Sequence, residues 1–180
     1  MRSIEQAIAR LHAFGVANVD HIALDLGAHL KGTSELLRSW GNSEPICLAG
    51  LYHAVYGTDD FPHMLIGLEN REQVREVIGE MAERLVYVYG ACDRSFTYRQ
   101  IIREPEPQYR DRFTGRTFVL DHSLLSSLCE LTLANELEIA SRDKAHLAAY
   151  RERYLTLFGS FEHRVSDRGM RTYKELFQLR

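Results

Sequence analysis

No apolar run in the chain approaches the roughly 18 residues that a membrane span requires. The first fifteen residues, which include Glu5, Arg10 and His12, lack the apolar centre of a signal peptide. A cytoplasmic protein with no membrane partner is expected. Cysteine is sparse: Cys47, Cys92 and Cys129 are odd in number and far apart, which excludes a secreted disulfide scaffold and a zinc knuckle and fits a reduced compartment. An excess of one charge is missing too. The 22 Lys and Arg stand against 25 Asp and Glu, a net charge of -3 with both signs interspersed, so no basic face offers itself to a phosphate backbone and no nucleic-acid partner is expected. There is no Gly-rich phosphate loop and no recognisable Ser-His or Cys-His nucleophile context, Cys92 beside Asp93-Arg94 being the one thiol to consider. Internal repeats and low-complexity tracts are absent.

What remains is a chain of 180 residues, 45% hydrophobic, enough to bury a core as one domain over 1–180. Ser3-Ile4-Glu5-Gln6 has the form of a capping box and opens an amphipathic helix that stops at Gly15. Leu26, Leu30, Leu36 and Leu37 predict a second helix over 25–40, closed by Gly41-Asn42. A third is predicted from Pro45 to Tyr56. After a loop over 57–69, Val74, Val77, Ile78, Met81, Leu85 and Val88 predict one long helix with these residues on its buried face. Between Cys92 and His122 the periodicity fails. Glu104-Pro105-Glu106-Pro107 breaks any helix, and Arg112 to Val119 predicts a small hairpin turning at Thr114-Gly115, together forming a cover. Helices are again predicted over 123–139, 143–158 and 167–179.

The chemistry-bearing segment begins with His29-Leu30-Lys31-Gly32-Thr33 and continues, 24 residues after the first histidine (53 minus 29), with Gly50-Leu51-Tyr52-His53-Ala54-Val55-Tyr56-Gly57-Thr58. Val77-Ile78-Gly79-Glu80-Met81-Ala82-Glu83-Arg84-Leu85-Val86 and Leu131-Thr132-Leu133-Ala134-Asn135-Glu136-Leu137-Glu138 follow. Together these resemble the HD superfamily, in which one histidine on a helix, a His-Asp pair at the end of the next and a later Asp converge on a divalent ion. The likeness covers roughly 21–140. It is closest to the hydrolases of guanosine tetra- and pentaphosphate and to a group of small HD-like proteins of bacteria and fungi that carry Gly-Thr, Trp-Gly, Ala-Gly-Leu and Tyr-Gly-Thr at matching places, here Gly32-Thr33, Trp40-Gly41, Ala49-Gly50-Leu51 and Tyr56-Gly57-Thr58. The resemblance implies an all-α, HD-like helical bundle with a small irregular or hairpin insertion around 95–120.

The departures bear on function. Ala54 stands where the metal-binding aspartate would follow the second histidine, Gly57 and Thr58 where a Glu-Asp pair would stand, and Asn135 in place of the last aspartate. Two imidazoles and an amide carry no negative charge to offset a hard divalent ion. The expected enzyme therefore uses no cofactor and acts on a small polar metabolite, in specialised metabolism, by histidine acid/base chemistry. His29 or His53 transfers the proton, Tyr56 and Asn135 orient, and Glu83 or Glu136 fixes a histidine tautomer. Thr58, Arg75, Arg94, Asn135 and Glu136 are the candidate substrate-binding groups.

Each has a blander reading. The histidines also fit as buried, hydrogen-bonded remnants of a lost metal site, Tyr56 and the aromatic set Tyr87, Tyr89, Tyr150, Tyr154 and Phe158 as core, Gly57-Thr58 as a helix-ending turn, and the arginines as solvated or salt-bridged side chains. His63, His122, His146 and His163 have no spacing that argues for a role. Two alternatives stay open. One is a phosphohydrolase or oxygenase holding Fe, Zn or Mn with His29, His53 and a carboxylate from Asp59, Asp60, Glu83, Glu136 or Glu138. The other is a non-catalytic ligand-binding or assembly protein. A homodimer is open as well.

Overall fold

The computed structural model of the chain describes residues 9–10 and 26–179. The helix expected over 1–15 lies outside these residues except for its positions 9–10, which are helical. The architecture is all-α with one two-stranded hairpin, and the chain divides into two compact units, Met1–Gly90 and Ala91–Arg180. No described helix is long and apolar enough to cross a membrane.

In the first unit, α1 (Leu26–Ser39) buries Leu30, Thr33, Ser34 and Leu37, one stripe at helical spacing. Its end is a left-handed stop: Gly41 has φ 85, and the amides of Gly41 and Asn42 donate to Arg38 and Leu37 carbonyls at 2.9 and 3.2 Å. Helix α2 (Glu44–Tyr52) returns against α1. The approach is close because Gly50 has no side chain: a Cβ there would meet Leu37 Cδ1 at 2.5 Å, and the Ser34 hydroxyl donates to the Cys47 carbonyl at 2.8 Å.

The third helix stops at Tyr52, four residues before the expected end at Tyr56. From His53 the backbone closes shorter bonds, Val55 to Tyr52 and Gly57 to Ala54, both at 2.9 Å, and the Val55 carbonyl accepts from the returning amides of Leu65 and Ile66. Gly57 at φ 67 completes the change of direction.

The long helix expected through Val74 and Val88 is two helices, α3 (Arg71–Ile78) and α4 (Glu80–Gly90), preceded by a short 3-10 turn (Leu68–Asn70). They are separated by Gly79 at φ 85, ψ 162, a conformation reserved in practice for glycine. The break rotates the second half of the stripe, so Met81, expected in the core, is 74% exposed while Glu83, at 1%, is buried.

In the second unit a further helix, α5 (Arg94–Arg103), stands where periodicity fails in the sequence. Its buried face is Arg94, Thr97, Tyr98 and Ile101, helically spaced but half polar, which hides it from an apolar pattern. Asp93 caps it, its Oδ1 accepting from the Phe96 amide at 2.9 Å and the Ser95 hydroxyl at 2.8 Å. The antiparallel hairpin pairs β1 (Gln108–Arg110) with β2 (Thr117–Val119) in the register Tyr109 opposite Phe118. Its loop contains Thr114-Gly115 as expected, with Gly115 at φ 71 and Asp111 Oδ1 accepting from the amides of Phe113 and Thr114.

Helix α6 (His122–Arg142) runs longer than the expected 123–139 and buries twelve of its residues. Helix α7 (Lys144–Gly159) begins at an Asp143 cap, and α8 (Asp167–Phe177) at a Ser166 cap. The buried Glu130 accepts from both the amide and the hydroxyl of Ser166, at 2.8 and 2.7 Å, fixing the start of α8 to α6. Tyr154, Phe158, Phe161, Tyr173 and Phe177 form a contiguous aromatic core between α7 and α8.

Gly79→Ala should destabilise the protein by about 1–3 kcal/mol, because an L side chain is strained at this backbone conformation although its Cβ would meet nothing within 4 Å. An unbroken helix would give the opposite sign, a gain of about 0.5–1 kcal/mol from replacing a helical glycine. The direction of the shift in a urea unfolding midpoint separates the two.

Candidate functional site

His29 lies on α1 and His53 caps the end of α2, two helices that pack on each other in the first unit. Their rings meet edge to face, centroids 5.2 Å apart and planes at 89°. His53 is 3% exposed and His29 is half-buried. The Tyr89 ring of α4 also meets His53, at 5.3 Å and 80°. His53 Nδ1 is 2.7 Å from the Gly50 carbonyl. A carbonyl only accepts, so Nδ1 carries the proton and, in the neutral ring, Nε2 carries the lone pair. The tautomer of His53 is thus set by backbone, not by Glu83 or Glu136 as the sequence suggested.

Glu83 has other work. Its Oε1 accepts from the Tyr56 hydroxyl at 3.0 Å and from Arg71 Nε at 2.6 Å, and its Oε2 accepts from Arg71 Nη2 at 3.0 Å. Arg75 Nη2 stands 3.7 Å from the same Oε2 and its Nη1 is held by Glu72 at 2.7 Å. The Arg71 guanidinium also lies 3.8 Å above the Tyr87 ring centroid. Burial alone would lower the pKa of Arg71, but the hydrogen bonds and charge of Glu83 outweigh it and hold it above its ordinary value. Burial, followed by the charge and hydrogen bond of Glu83, pushes the Tyr56 phenol above the usual tyrosine range. Tyr56 therefore donates its proton to Glu83 and remains neutral, a committed hydrogen-bond donor.

Thr58, another sequence candidate, is 5% exposed and closes a local turn: its Oγ1 accepts from the Phe61 amide at 3.0 Å and its own amide donates to the Phe61 carbonyl at 2.6 Å. Asp59 and Asp60 are exposed in the same loop. Arg94, Asn135 and Glu136 belong to the second unit. Arg94 is buried at 6%, its Nη1 3.8 Å from Glu136 Oε1; Asn135 is likewise 6% exposed. Glu136 Oε2 accepts from the Tyr154 hydroxyl at 2.6 Å, and that hydroxyl is 2.7 Å from His146 Nε2. Cys92 is 1% exposed, and burial pushes the nearby Cys129 thiol up to about 12.

Sequence reasoning missed Arg71 and His146. Arg71 meets Glu83 twelve positions away only because the helix breaks between them, a distance no helical spacing rule covers. His146 reaches Tyr154 at a separation of eight, a two-turn reach on one helix face that a scan for metal or triad spacings passes over.

Among the described residues no group of three or more His, Cys, Asp and Glu side chains is placed to hold a metal ion.

A model for a domain of unknown function, DUF6817, matches residues 10–94, a stretch holding His29, His53, Tyr56 and Glu83 and ending at Arg94. No curated protein and no solved structure matches the chain.

Removing the buried carboxylate should be costly. Glu83→Ala leaves the Arg71 charge and the Tyr56 hydroxyl without their acceptor, and a loss of about 3 kcal/mol is expected, the low end of the range for breaking buried pairs because Arg71 keeps 30% exposure. Glu72→Ala, at a side chain 67% exposed, should stay within about 0.5 kcal/mol of the parent. Urea unfolding of the two variants side by side tests the contrast.

Proposed function

We propose that the protein is an HD-like enzyme that acts on a small polar metabolite by proton transfer at the His29–His53 pair. The observation that carries this reading is the bond from His53 Nδ1 to the Gly50 carbonyl. It commits the ring to one tautomer, and a base held with its lone pair on a known nitrogen spends nothing on reorientation when a substrate proton arrives. His29 is the more accessible of the two rings and takes the role of the partner that exchanges protons with substrate or solvent. Tyr89, edge to face with His53, holds the ring plane.

The Tyr56–Glu83–Arg71 cluster supports this pair from behind. It fixes the turn that follows His53, so the histidine's backbone is tied both to α2 and, through Tyr56, to α4. Substrate contact in the first unit then falls to the two histidines, with Arg75 on α3 as the candidate cation. Arg94, Asn135 and Glu136 remain candidate substrate groups of the second unit. Ala54 and Asn135, uncharged where the resemblance expects metal-binding aspartates, favour proton chemistry over the metal-centred phosphate hydrolysis of the guanosine tetraphosphate hydrolases, and specialised metabolism is the setting this reading keeps.

Purified protein incubated with a polar metabolite extract should deplete at least one component by mass spectrometry. His53→Gln and His29→Gln should slow that depletion by about 100-fold or more, the usual contribution of a positioned acid or base. Undiminished depletion by the His53 variant overturns the reading, as does an extract that the parent leaves unchanged. Guanosine tetraphosphate with added Mn should release no pyrophosphate, since even one lost preorganised electrostatic contact costs about 100–1000-fold; phosphate chromatography of the reaction checks this.

A further inference from the structure

The second unit contains a hydrogen-bonded chain for which the reading above has no use. His146, in the first turn of α7, places Nε2 2.7 Å from the Tyr154 hydroxyl, and that hydroxyl lies 2.6 Å from Oε2 of Glu136 on α6. The direction of each bond is fixed by proton count. Burial first, then the charge and hydrogen bond of Glu136, raise the Tyr154 phenol above its ordinary range, so it keeps its single proton and gives it to the carboxylate. Its oxygen can then only accept from His146, whose proton is therefore on Nε2. The remaining nitrogen, Nδ1, holds the lone pair of the neutral ring and makes no hydrogen bond among the described residues. Arg94 sets a cation 3.8 Å from the other oxygen of Glu136. The imidazole is half-buried, and the Tyr150 ring, 41% exposed, stacks on it at 4.4 Å with planes 25° apart.

We propose that this chain makes His146 a second general-base site, independent of the His29–His53 pair, with Nδ1 as the accepting nitrogen and activated carboxylic esters as the substrate class. An imidazole oriented by a hydrogen-bonded carboxylate is the arrangement that activates an O–H nucleophile. No Ser, Thr or Cys side chain is bonded to His146 among the described residues, so the nucleophile is water and the electrophile a carbonyl. Nδ1 takes a proton from water as the water oxygen bonds to the acyl carbon. The tetrahedral adduct then collapses, the bond to the leaving oxygen breaks, and that oxygen takes the proton back from Nδ1, giving acid and alcohol. Positive charge held on the ring between these steps faces Glu136 through Tyr154. The flat, exposed Tyr150 ring beside His146 suits an aryl leaving group. Tyr154 and Glu136 are positioning residues, acting only through His146.

The test uses the whole chain and p-nitrophenyl acetate. The parent should hydrolyse it above the buffer rate, His146→Gln should lower that rate by about tenfold or more, and His163→Gln, at an exposed histidine, should match the parent. Tyr154→Phe keeps the ring that stacks on Phe158 while removing the hydroxyl. It should lower the rate severalfold, and the 15N spectrum of His146 should show both neutral tautomers where the parent shows the Nε2–H form alone, a readout that mere loss of packing does not produce. Should Tyr154→Phe fail to fold by circular dichroism, Glu136→Gln carries the same two readouts. A parent no faster than buffer, a His146→Gln variant at the parental rate, or a folded Tyr154→Phe variant with unchanged rate and tautomer overturns the proposal.

Discussion

A carboxylate at 1% exposure cannot stand without compensation, and the first unit is arranged around the compensation of Glu83. Removing a carboxylate from water costs several kcal/mol after relaxation, which only converging donors offset. Arg71 supplies two, Tyr56 a third, and Arg75 a nearby charge. For these to meet, the chain must reverse its helical phase between Arg71 and Glu83, and Gly79 in its positive-φ conformation does so. Restarting at Glu80 also sets Glu83 in the first turn of α4, where unpaired amides and the helix dipole favour negative charge. The same carboxylate holds Tyr56, and so the turn on which His53 ends α2. One buried ion pair thereby links helix geometry to the placement of the imidazoles.

The elements that the sequence made legible are those whose buried faces are apolar. The leucines of α1 and α6, the glycine stop at Gly41, and the aspartates Asp143 and Asp167 at the starts of α7 and α8 mark helices whose ends fall within a few residues of expectation. The failures share one cause. Helix α5 buries Arg94 and Thr97, the α3–α4 break buries Glu83 and exposes Met81, and α2 ends early because Val55 offers its carbonyl to Leu65 and Ile66. In each case a polar or backbone interaction with a distant residue overrides the local periodicity, and such an interaction leaves no mark at the position where it acts. The hairpin was legible at its turn, since Thr114-Gly115 names the residue that tolerates positive φ, but its first strand begins at Gln108, close behind the prolines.

The candidate site divides in the same way. That His29 and His53 share one face follows from two helices joined by a glycine stop, and the ring geometry agrees with it. What the sequence assigned to Glu83, the setting of a histidine tautomer, is done for His53 by the Gly50 carbonyl. Three residues before the histidine, that carbonyl belongs to the glycine whose missing side chain lets α1 approach. Close helix packing and the state of the ring thus trace to one residue, a coupling that residue types alone do not disclose.

His53 and His146 each have a tautomer set by a hydrogen bond to the inner ring nitrogen, and the two solutions differ in what they permit. A backbone carbonyl has no proton to lose and no second state, so the proton of His53 stays on Nδ1 and the neutral ring has one tautomer, which suits a base that must be ready before substrate arrives. The partner of His146 is a phenol, itself bonded to a carboxylate, and hydrogen bonds in such a chain polarise one another. Such a chain responds to the charge on the imidazole as well as orienting it. The first arrangement specifies geometry alone, the second also answers to charge on the ring. The difference lies in the acceptor chosen for the inner ring nitrogen, Nδ1 on a carbonyl in one unit and Nε2 on Tyr154 in the other.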